Sequence, residues 1–284
     1  MGAEVGEDTG NGVVSDVVGT VRPETLLLVL FGNHLLGKNR LVAVGSVIEV
    51  LNRLGAGEPA IRATVSRMGW RGLLYTVRRG RRAYIGLTAQ GVRVLEDGAR
   101  RIEADVVDRA WDGHWTILSF SVPETRRADR HTLRSHLGWA GFAPLRSGLW
   151  ISPAHRDVSA VLAELDLLDR AEVFRAEAIL WSEPEKIVRS AWDVDALADG
   201  YRRFVTRWSG DGLDRLDELC RQTLLEADWL LLIRHDPRLP VALLPPDWPG
   251  TEAQALFRAL RRQLAGPADK LAGELLDTCP VPTD

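Results

Sequence analysis

Cysteine is scarce in this chain of 284 residues, which contains only Cys220 and Cys279. The two lie far apart in sequence, so they do not form the closely spaced ligand pair of a zinc site. We expect both to remain reduced thiols, as is usual in the cytoplasm. The sequence therefore gives no sign of a disulfide framework.

Long apolar runs and a secretory leader are also absent. The most apolar early segment, residues 26–31, is too short to span a bilayer. The first residues, MGAEVGEDTGNG, are acidic and glycine-rich, which is the wrong chemistry for a signal peptide. We expect residues 1–21 to be a disordered leader and the protein to be cytoplasmic, with no membrane partner.

The familiar motifs of catalysis are missing as well. The sequence has no Walker A phosphate loop, no GxGxxG, no HExxH, no CxxC and no GxSxG. His131 and His136 are five residues apart, which is off the spacing that places two ligands on one helical face. Ligands drawn from distant parts of a chain leave no such signature. We predict that the protein is not an enzyme and holds no cofactor and no metal.

Arginine, by contrast, is concentrated in one segment. The formal net charge is -3, yet residues 58–82 contain seven arginines and a single acid, Glu58. A local basic surface on a protein that is not basic overall indicates a binding site for a polyanion.

The pattern around this segment predicts a winged helix-turn-helix domain in residues 22–108. Helices are expected from Pro23, over residues 44–54, and from Glu58. Strands are expected at residues 73–77 and 83–87, joined by an arginine-rich turn at Gly80, and Thr88 is expected to cap a further helix. The third helix fits the major groove of DNA and the hairpin lies beside it. The candidate DNA-binding residues are Arg62, Ala63, Ser66, Arg67, Trp70, Arg71, Arg78, Arg79, Arg81 and Arg82.

Each of these signals has an ordinary structural alternative. An arginine-rich hairpin is often only a solvated face of a protein. A winged helix can also serve as a scaffold that binds protein rather than DNA. DNA binding is favoured because one domain combines three helices, a hairpin, and basic residues on both the third helix and the hairpin.

Stretches along nearly the whole chain resemble the PaaX family, bacterial repressors of phenylacetate catabolism genes and related pathways. The matching segments are RPETLLLVLFGNHLL (22–36), AIRATVSRMGWRGLL (60–74), RRGRRAYIGLTAQG (78–91), WDGHWTILSFSVPETRR (111–127), LGWAGFAPLRSGLWISP (137–153) and IRHDPRLPVALLPPDWPG (233–250). The resemblance implies a ligand-responsive transcriptional repressor. Its effector would be an acyl-CoA such as phenylacetyl-CoA. A homodimer would bind double-stranded DNA at an inverted-repeat operator, because two-fold symmetry in the protein implies it in the operator.

Residues 109–182 read as β-α-β-β-α-β, which predicts a ferredoxin-like central domain. The resemblance implies a likeness to the small nuclease of CRISPR adaptation, so a metal-dependent nuclease is the alternative function. In that enzyme an acidic ligand ends the first strand, whereas this chain has Ser121 there, with Asp112 and Asp129 nearby. A serine does not supply the anionic oxygen that a hard cation prefers.

Residues 183–284 read as a helical C-terminal domain, and the segment after Gly266 is expected to be partly disordered. One helix combines aromatic residues with arginines, a set suited to an acyl group and to CoA phosphates. The candidate effector-binding residues are Tyr201, Arg203, Phe204, Arg207, Trp208 and His235. The alternative is that the rings are core residues with arginines at their edges. The fold class predicted for the whole chain is α+β.

Overall fold

The computed structural model describes residues 21–107, 111–179, 181–234 and 236–282. The predicted leader, except for Val21, lies outside these residues. Helices and two antiparallel sheets make up the chain, so its fold class is α+β. The chain divides into two compact units. Among the described residues, the first comprises those within 21–104, 207–230 and 256–282, and the second those within 105–206 and 231–255.

The N-terminal part alternates short helices with short strands. Its elements are α1 (Pro23–His34), β1 (Arg40–Ala43), α2 (Val44–Arg53), α3 (Glu58–Trp70), β2 (Leu74–Arg79), β3 (Arg82–Leu87) and α4 (Ala89–Glu103). Proline in the first turn favours the starts of α1 and α3, as predicted. The Thr88 hydroxyl caps α4 by accepting a hydrogen bond from the Gly91 amide at 3.0 Å.

The central part follows the predicted order of strands and helices. Its elements are β4 (His114–Phe120), α5 (Arg127–Trp139), β5 (Ala143–Arg146), β6 (Leu149–Ser152), α6 (Ser159–Glu164) and β7 (Ala171–Glu177). The four strands form one antiparallel sheet in the order β5-β6-β4-β7. Leu118 of β4 packs with Leu133, Leu137 and Leu162 of the helices in a buried cluster, which is the core of this part.

The C-terminal part is mainly helical. Its elements are α7 (Pro184–Ala191), α8 (Val194–Trp208), α9 (Glu218–Ile233), α10 (Gly250–Leu275) and β8 (Thr278–Pro280). Trp229 of α9 stacks on Phe257 of α10 with ring centroids 4.5 Å apart. Within the described residues, no helix is long and apolar enough to cross a membrane.

The prediction of partial disorder after Gly266 was wrong. Helix α10 continues through Pro267 to Leu275. Leu264, Ala268 and Ala272 are buried at four-residue intervals, so one apolar stripe packs on both sides of the proline. Tertiary packing of this stripe outweighs the backbone amide that proline lacks.

The first sheet combines three strands of the N-terminal part with β8 of the C-terminal part. Its antiparallel strand order is β2-β3-β1-β8. Val42 of β1 pairs with Ile85 of β3 on one side, and Leu41 of β1 pairs with Cys279 of β8 on the other. Tyr84 and Cys279 share a small apolar cluster with Leu41 on this sheet. The sequence pattern predicted neither β1 nor β8.

Candidate nucleic-acid interface

Helix α3 has one buried face and one exposed face. Ile61, Thr64 and Met68 point into the protein. Between and opposite them lie exposed residues at helical spacing, namely Arg62, Ala63, Ser66, Arg67 and Trp70. These are the helix residues predicted from the sequence to contact DNA, and all five are available at the surface.

Thr64 links the buried face of α3 to Arg67 on the exposed face. Its hydroxyl donates to the Ala60 carbonyl at 2.8 Å and accepts from the Arg67 guanidinium, also at 2.8 Å. The hydroxyl is therefore a fixed acceptor that restricts the rotamers of Arg67. A restricted arginine loses less side-chain entropy when it binds a ligand.

Trp70, at the last turn of α3, has 88% of its surface exposed. A singly exposed aromatic residue is ordinary on a protein surface, so it is the position of Trp70 on the arginine-bearing face of α3 that makes it a candidate contact. The neighbouring Arg71 forms an ion pair with Glu24 of α1 at 2.5 Å. Arg62 pairs in the same way with Glu58 at 2.7 Å. Both pairs are solvent-exposed, and exposed pairs of this kind contribute little stability, so a competing phosphate can replace the carboxylate.

Strands β2 and β3 form a tight hairpin whose turn is Gly80-Arg81. Gly80 is at φ 59°, the left-handed backbone that the first central position of a type II′ turn requires. The strands are longer than predicted, so Arg78, Arg79 and Arg82 lie within them and only Arg81 lies in the turn. All four side chains are exposed. The longer ladder forms because Arg79 pairs directly with Arg82 across the hairpin.

The four hairpin arginines differ in the hydrogen bonds and ion pairs that their side chains form. Among the described residues, the side chains of Arg78 and Arg81 have no hydrogen-bond or ion-pair partner. Arg79 donates to the Pro280 carbonyl at 2.9 Å, and Arg82 donates to the Asp277 carboxylate at 2.7 Å. Two of the four are therefore tied to the C-terminal segment of the chain.

Asp277 is the centre of this C-terminal contact. Its carboxylate also accepts a hydrogen bond from the Tyr84 hydroxyl at 2.9 Å, and its carbonyl accepts one from the Ala43 amide at 2.8 Å. The hydrogen bond to Asp277 raises the pKa of Arg82. Sequence reasoning missed this residue, since no local pattern connects it with a hairpin nearly two hundred positions earlier.

Gly91 allows helix α4 to start against the base of the hairpin. A Cβ at this position would lie 2.1 Å from the Leu73 carbonyl oxygen, well inside van der Waals contact. The Thr88 hydroxyl donates to the Gly72 carbonyl at the same junction. The helix and the hairpin are thus fixed to each other by close backbone packing.

The candidate effector residues on α8 have mixed environments. Tyr201 is fully buried and donates to the carboxylate of Asp236, a half-buried residue of the same unit. Phe204 is also buried, whereas Arg203 is exposed. Burial is the main cause that raises the pKa of Tyr201 above its usual value, with Asp236 adding to it. His235, the sixth candidate, lies outside the described residues.

The two remaining candidates, Arg207 and Trp208, lie in the first unit and share one hydrogen-bond acceptor. Both donate to the Asp228 carboxylate, each at 3.0 Å. Burial raises the pKa of Asp228 to about 6, although both donors act in the opposite direction. Tyr201, Phe204 and Trp208 are all buried, so their rings contribute to packing within their units.

The acidic residues considered for a nuclease site are held in ion pairs. Asp112 accepts from Arg175 at 2.8 Å, and Asp129 accepts from Arg126 at 2.7 Å. Ser121 directly follows β4. Among the described residues, no three histidine, cysteine, aspartate or glutamate side chains cluster closely enough to hold a metal ion.

The geometry defines an α+β protein with an exposed, arginine-rich helix and hairpin near its amino end. Three family models match the chain in sequence. They are the PaaX-like protein model over residues 22–91, the PaaX protein central Cas2-like domain over residues 108–188, and the PaaX-like protein C-terminal domain over residues 192–274. The chain belongs to the PaaX family. The resemblance predicted from the sequence is thereby confirmed.

Two known proteins are similar over most of their length. The transcriptional repressor PaaX of Escherichia coli (strain K12) is 27% identical over 272 residues, which cover 89% of this chain and 84% of that protein. The structure of the uncharacterized protein Rv0674 from Mycobacterium tuberculosis matches with a TM-score of 0.61 and 23% identity. That match covers 88% of this chain and 98% of the other, and it supports the fold alone.

Proposed function

We propose that this protein is a ligand-responsive, DNA-binding transcriptional repressor that acts in the cytoplasm. The observation that carries the proposal is the exposed surface formed by α3 and the β2-β3 hairpin. All ten predicted contact residues are exposed there, on a chain whose net charge is -3. Membership of the PaaX family, and the name of the similar Escherichia coli repressor, support the same function.

We propose that residues 22–108 form a winged helix-turn-helix domain. In support, α3 follows α1 and α2 and precedes the β2-β3 hairpin, which forms one edge of the first sheet. Helix α3 enters the major groove, where Arg67 donates to guanine acceptors and Ser66 contacts base edges. Arg78 and Arg81 of the hairpin bind phosphates, which positions the protein without specifying sequence.

We propose a ferredoxin-like arrangement for residues 109–182 and a helical C-terminal domain for residues 183–284. The antiparallel order β5-β6-β4-β7 supports the first, since a split βαββαβ unit places its first and third strands at the centre. The C-terminal domain binds a small acyl-CoA such as phenylacetyl-CoA. Arg203, the exposed arginine among the candidates on α8, is suited to a CoA phosphate. The effector releases DNA because it binds the DNA-free state more tightly.

The first experiment is a fluorescence-anisotropy titration with DNA from the protein's own upstream region. Binding to that DNA should exceed binding to a shuffled sequence of equal length and composition, and it should weaken as salt rises. Equal affinity for both DNAs, or no dependence on salt, would contradict the proposal.

The second experiment tests the effector on the preformed complex. Phenylacetyl-CoA and related thioesters should release the DNA, whereas free phenylacetate and free CoA should not. Release by the free acid, without release by any thioester, would show that the CoA part of the proposal is wrong.

Two other functions make different predictions. A metal-dependent nuclease would cleave labelled RNA or DNA in Mg²⁺ or Mn²⁺ and lose that activity on Asp112→Ala; the exposed Asp112–Arg175 pair gives it no support. A scaffold that binds protein would bind promoter DNA no differently after Arg81→Ala. Neither has an observation in its favour comparable to the exposed arginine surface.

A further inference from the structure

Helix α5 of the central part carries a row of basic side chains on its exposed face. Arg127, His131 and Arg134, which we call the α5 row, lie at i, i+4 and i+7, a spacing that places them on one side of a helix. All three are exposed, and among the described residues their side chains have no hydrogen-bond or ion-pair partner. The buried side of the helix is formed by Leu133 and Leu137, which pack into the core of this part.

The other two arginines of this segment have structural partners. Arg126, just before the helix, donates to Asp129 at 2.7 Å. Arg130 donates to Glu124 at 2.9 Å and to the Val122 carbonyl at 2.8 Å. Asp129 is the only acidic residue within α5, and it is already paired. The helix therefore has no further carboxylate of its own to neutralise the α5 row.

The simplest alternative is that the α5 row is an ordinary solvated face. Four other helices of this chain pair an exposed arginine with an acid about one turn away, which is usual on solvated faces. The pairs are Arg53 with Glu49, Arg62 with Glu58, Arg100 with Asp97, and Arg202 with Asp199. Within α5, no acid lies three or four residues from any member of the row. The α5 row therefore differs from the solvated helix faces of the same chain.

The shape of the row fits an extended polyanion. Arg127 and Arg134 are seven residues apart, which corresponds to about 10 Å along a helix axis. Duplex DNA carries one charge for roughly every 1.7 Å of its axis, so a row of this length meets several phosphates. The exposed residues beside the row include Ala128, Ser135 and Gly138, whose small side chains allow a close approach of the helix to a backbone.

Arg146 adds a further cation at the end of the central sheet where α5 begins. It is exposed at the end of β5, and its guanidinium donates to the carbonyl of its own neighbour, Leu145, at 2.9 Å. The turn that follows it lies beside the end of β4, because the Phe120 amide donates to the Gly148 carbonyl at 2.9 Å. The chain passes from Phe120 through a short loop into α5, so Arg146 lies at the same end of the sheet as Arg127.

We propose that the α5 row, together with Arg146, is a second DNA contact that binds the phosphate backbone of duplex outside the stretch read by α3. The inference rests on the proposed function and extends it. Guanidinium and imidazole N–H groups donate to phosphate oxygens, and such contacts add affinity without specifying sequence. The central part then strengthens binding to DNA whose sequence the N-terminal part selects.

The length of the DNA tests this contact. Two duplexes are compared by fluorescence anisotropy with the full chain: the shortest upstream duplex preferred over its shuffled counterpart, and the same duplex extended by about ten base pairs, one helical turn, on each side. The wild-type protein should bind the longer duplex on the order of tenfold more tightly. Arg127→Ala and Arg134→Ala together should remove most of this gain, reduce the salt slope on the longer duplex by about one for each lost phosphate contact, and leave binding to the shorter duplex unchanged.

Two further variants separate charge from structure. Arg202→Ala is the matched control, because Arg202 is an exposed helical arginine of the same unit that is paired with Asp199, and its loss should not affect DNA binding. Arg127→Lys and Arg134→Lys together should keep most of the gain, since a phosphate is attracted by a lysine charge as well. The replaced side chains are exposed and unpaired, so all variants should unfold at the wild-type temperature.

Unchanged affinity of the double alanine variant for the longer duplex would overturn the proposal, and would leave the α5 row to another polyanion, such as an acidic protein, or to none. Equal losses on both duplexes, or a lysine variant as weak as the alanine variant, would overturn it as well.

Shuffled duplexes of both lengths separate this proposal from the repressor function. The contact does not depend on sequence, so the double alanine variant should also lose affinity for the longer shuffled duplex. If the wild-type protein shows no preference for its upstream DNA but this loss is seen, the repressor function is contradicted and the α5 contact stands. If the preference is seen without the loss, the repressor function stands and the α5 contact is wrong.

Discussion

At the scale of single residues, the basic surface is not uniform. Arg67 is positioned by Thr64 on the exposed face of α3, whereas Arg81 lies at the tip of the hairpin with no partner among the described residues. A positioned arginine suits contacts with base edges, and a mobile one suits phosphates. The two are therefore expected to contribute differently to DNA binding.

Arg67→Ala should lower affinity for the operator by about 1–3 kcal/mol and leave affinity for shuffled DNA nearly unchanged. Arg81→Ala should weaken binding to both DNAs about equally and reduce the salt slope by roughly one. Anisotropy titrations at several salt concentrations measure both effects. Arg93→Ala, at an exposed position on α4, is the control and should change neither. Equal losses on both DNAs for Arg67→Ala would contradict its role in reading bases.

Under the proposed function, Asp277 would compete with DNA for Arg82. Replacing it by asparagine removes a negative charge from the hairpin surface and keeps an oxygen that accepts from Tyr84. We expect Asp277→Asn to bind all DNA a few-fold more tightly, with a steeper salt slope. In an Arg82→Ala background, the same Asp277→Asn change should no longer alter the affinity. Weaker binding by Asp277→Asn would show instead that the carboxylate holds the hairpin in its binding position.

At the scale of elements, the N-terminal part depends on contacts between a helix and a backbone. Helix α4 begins where Gly91 meets the Leu73 carbonyl, and the capping hydroxyl of Thr88 fixes its first turn. A two-stranded hairpin alone is only marginally stable in water. The junction with α4 and the pairing of β3 with β1 together keep the hairpin in place beside α3.

Gly91→Ala should destabilise the protein by about 2–4 kcal/mol, because its methyl group would overlap the Leu73 carbonyl. Gly98→Ala is the matched control in the same helix. No neighbouring atom lies within 4 Å of a Cβ at position 98, so this change should stabilise the helix by about 0.5–1 kcal/mol. Urea unfolding measures both. Similar effects at the two positions would contradict the close packing of Gly91.

At the scale of the whole molecule, charge and symmetry decide how DNA is bound. The net charge of -3 gives little general attraction to DNA, so the proposed binding would depend on the local arginine surface. Under the proposed function, one such surface would contact a short half-site, and the homodimer that the family resemblance implies would supply two. When two weak contacts are linked, the second forms at a high effective concentration once the first has formed. The overall affinity for DNA is therefore higher than that of either contact alone.

Removal of one half of the inverted repeat should therefore weaken operator binding by about 100-fold or more. Gel-shift titrations with full and half operators measure the ratio. A half operator bound as tightly as the full one would mean that a single copy supplies the whole interface.

The sequence by itself determined those features of the fold that depend on interactions between residues close together in the chain. Helical periodicity and proline placed α1 and α3, glycine placed the hairpin turn, and the exposed face of α3 followed from spacing alone. The family was also available from the sequence, because its motifs extend along nearly the whole chain. These features are set by interactions within a few positions of each residue.

Only the tertiary structure decided which distant segments meet. Strand β8 pairs with β1 across most of the chain, and Asp277 reaches Arg82 and Tyr84 only through that pairing. Helix α10 continues through Pro267 because its buried stripe packs on both sides of it. The reason is common to both: long-range packing outweighs weak local preferences, and no local pattern records it.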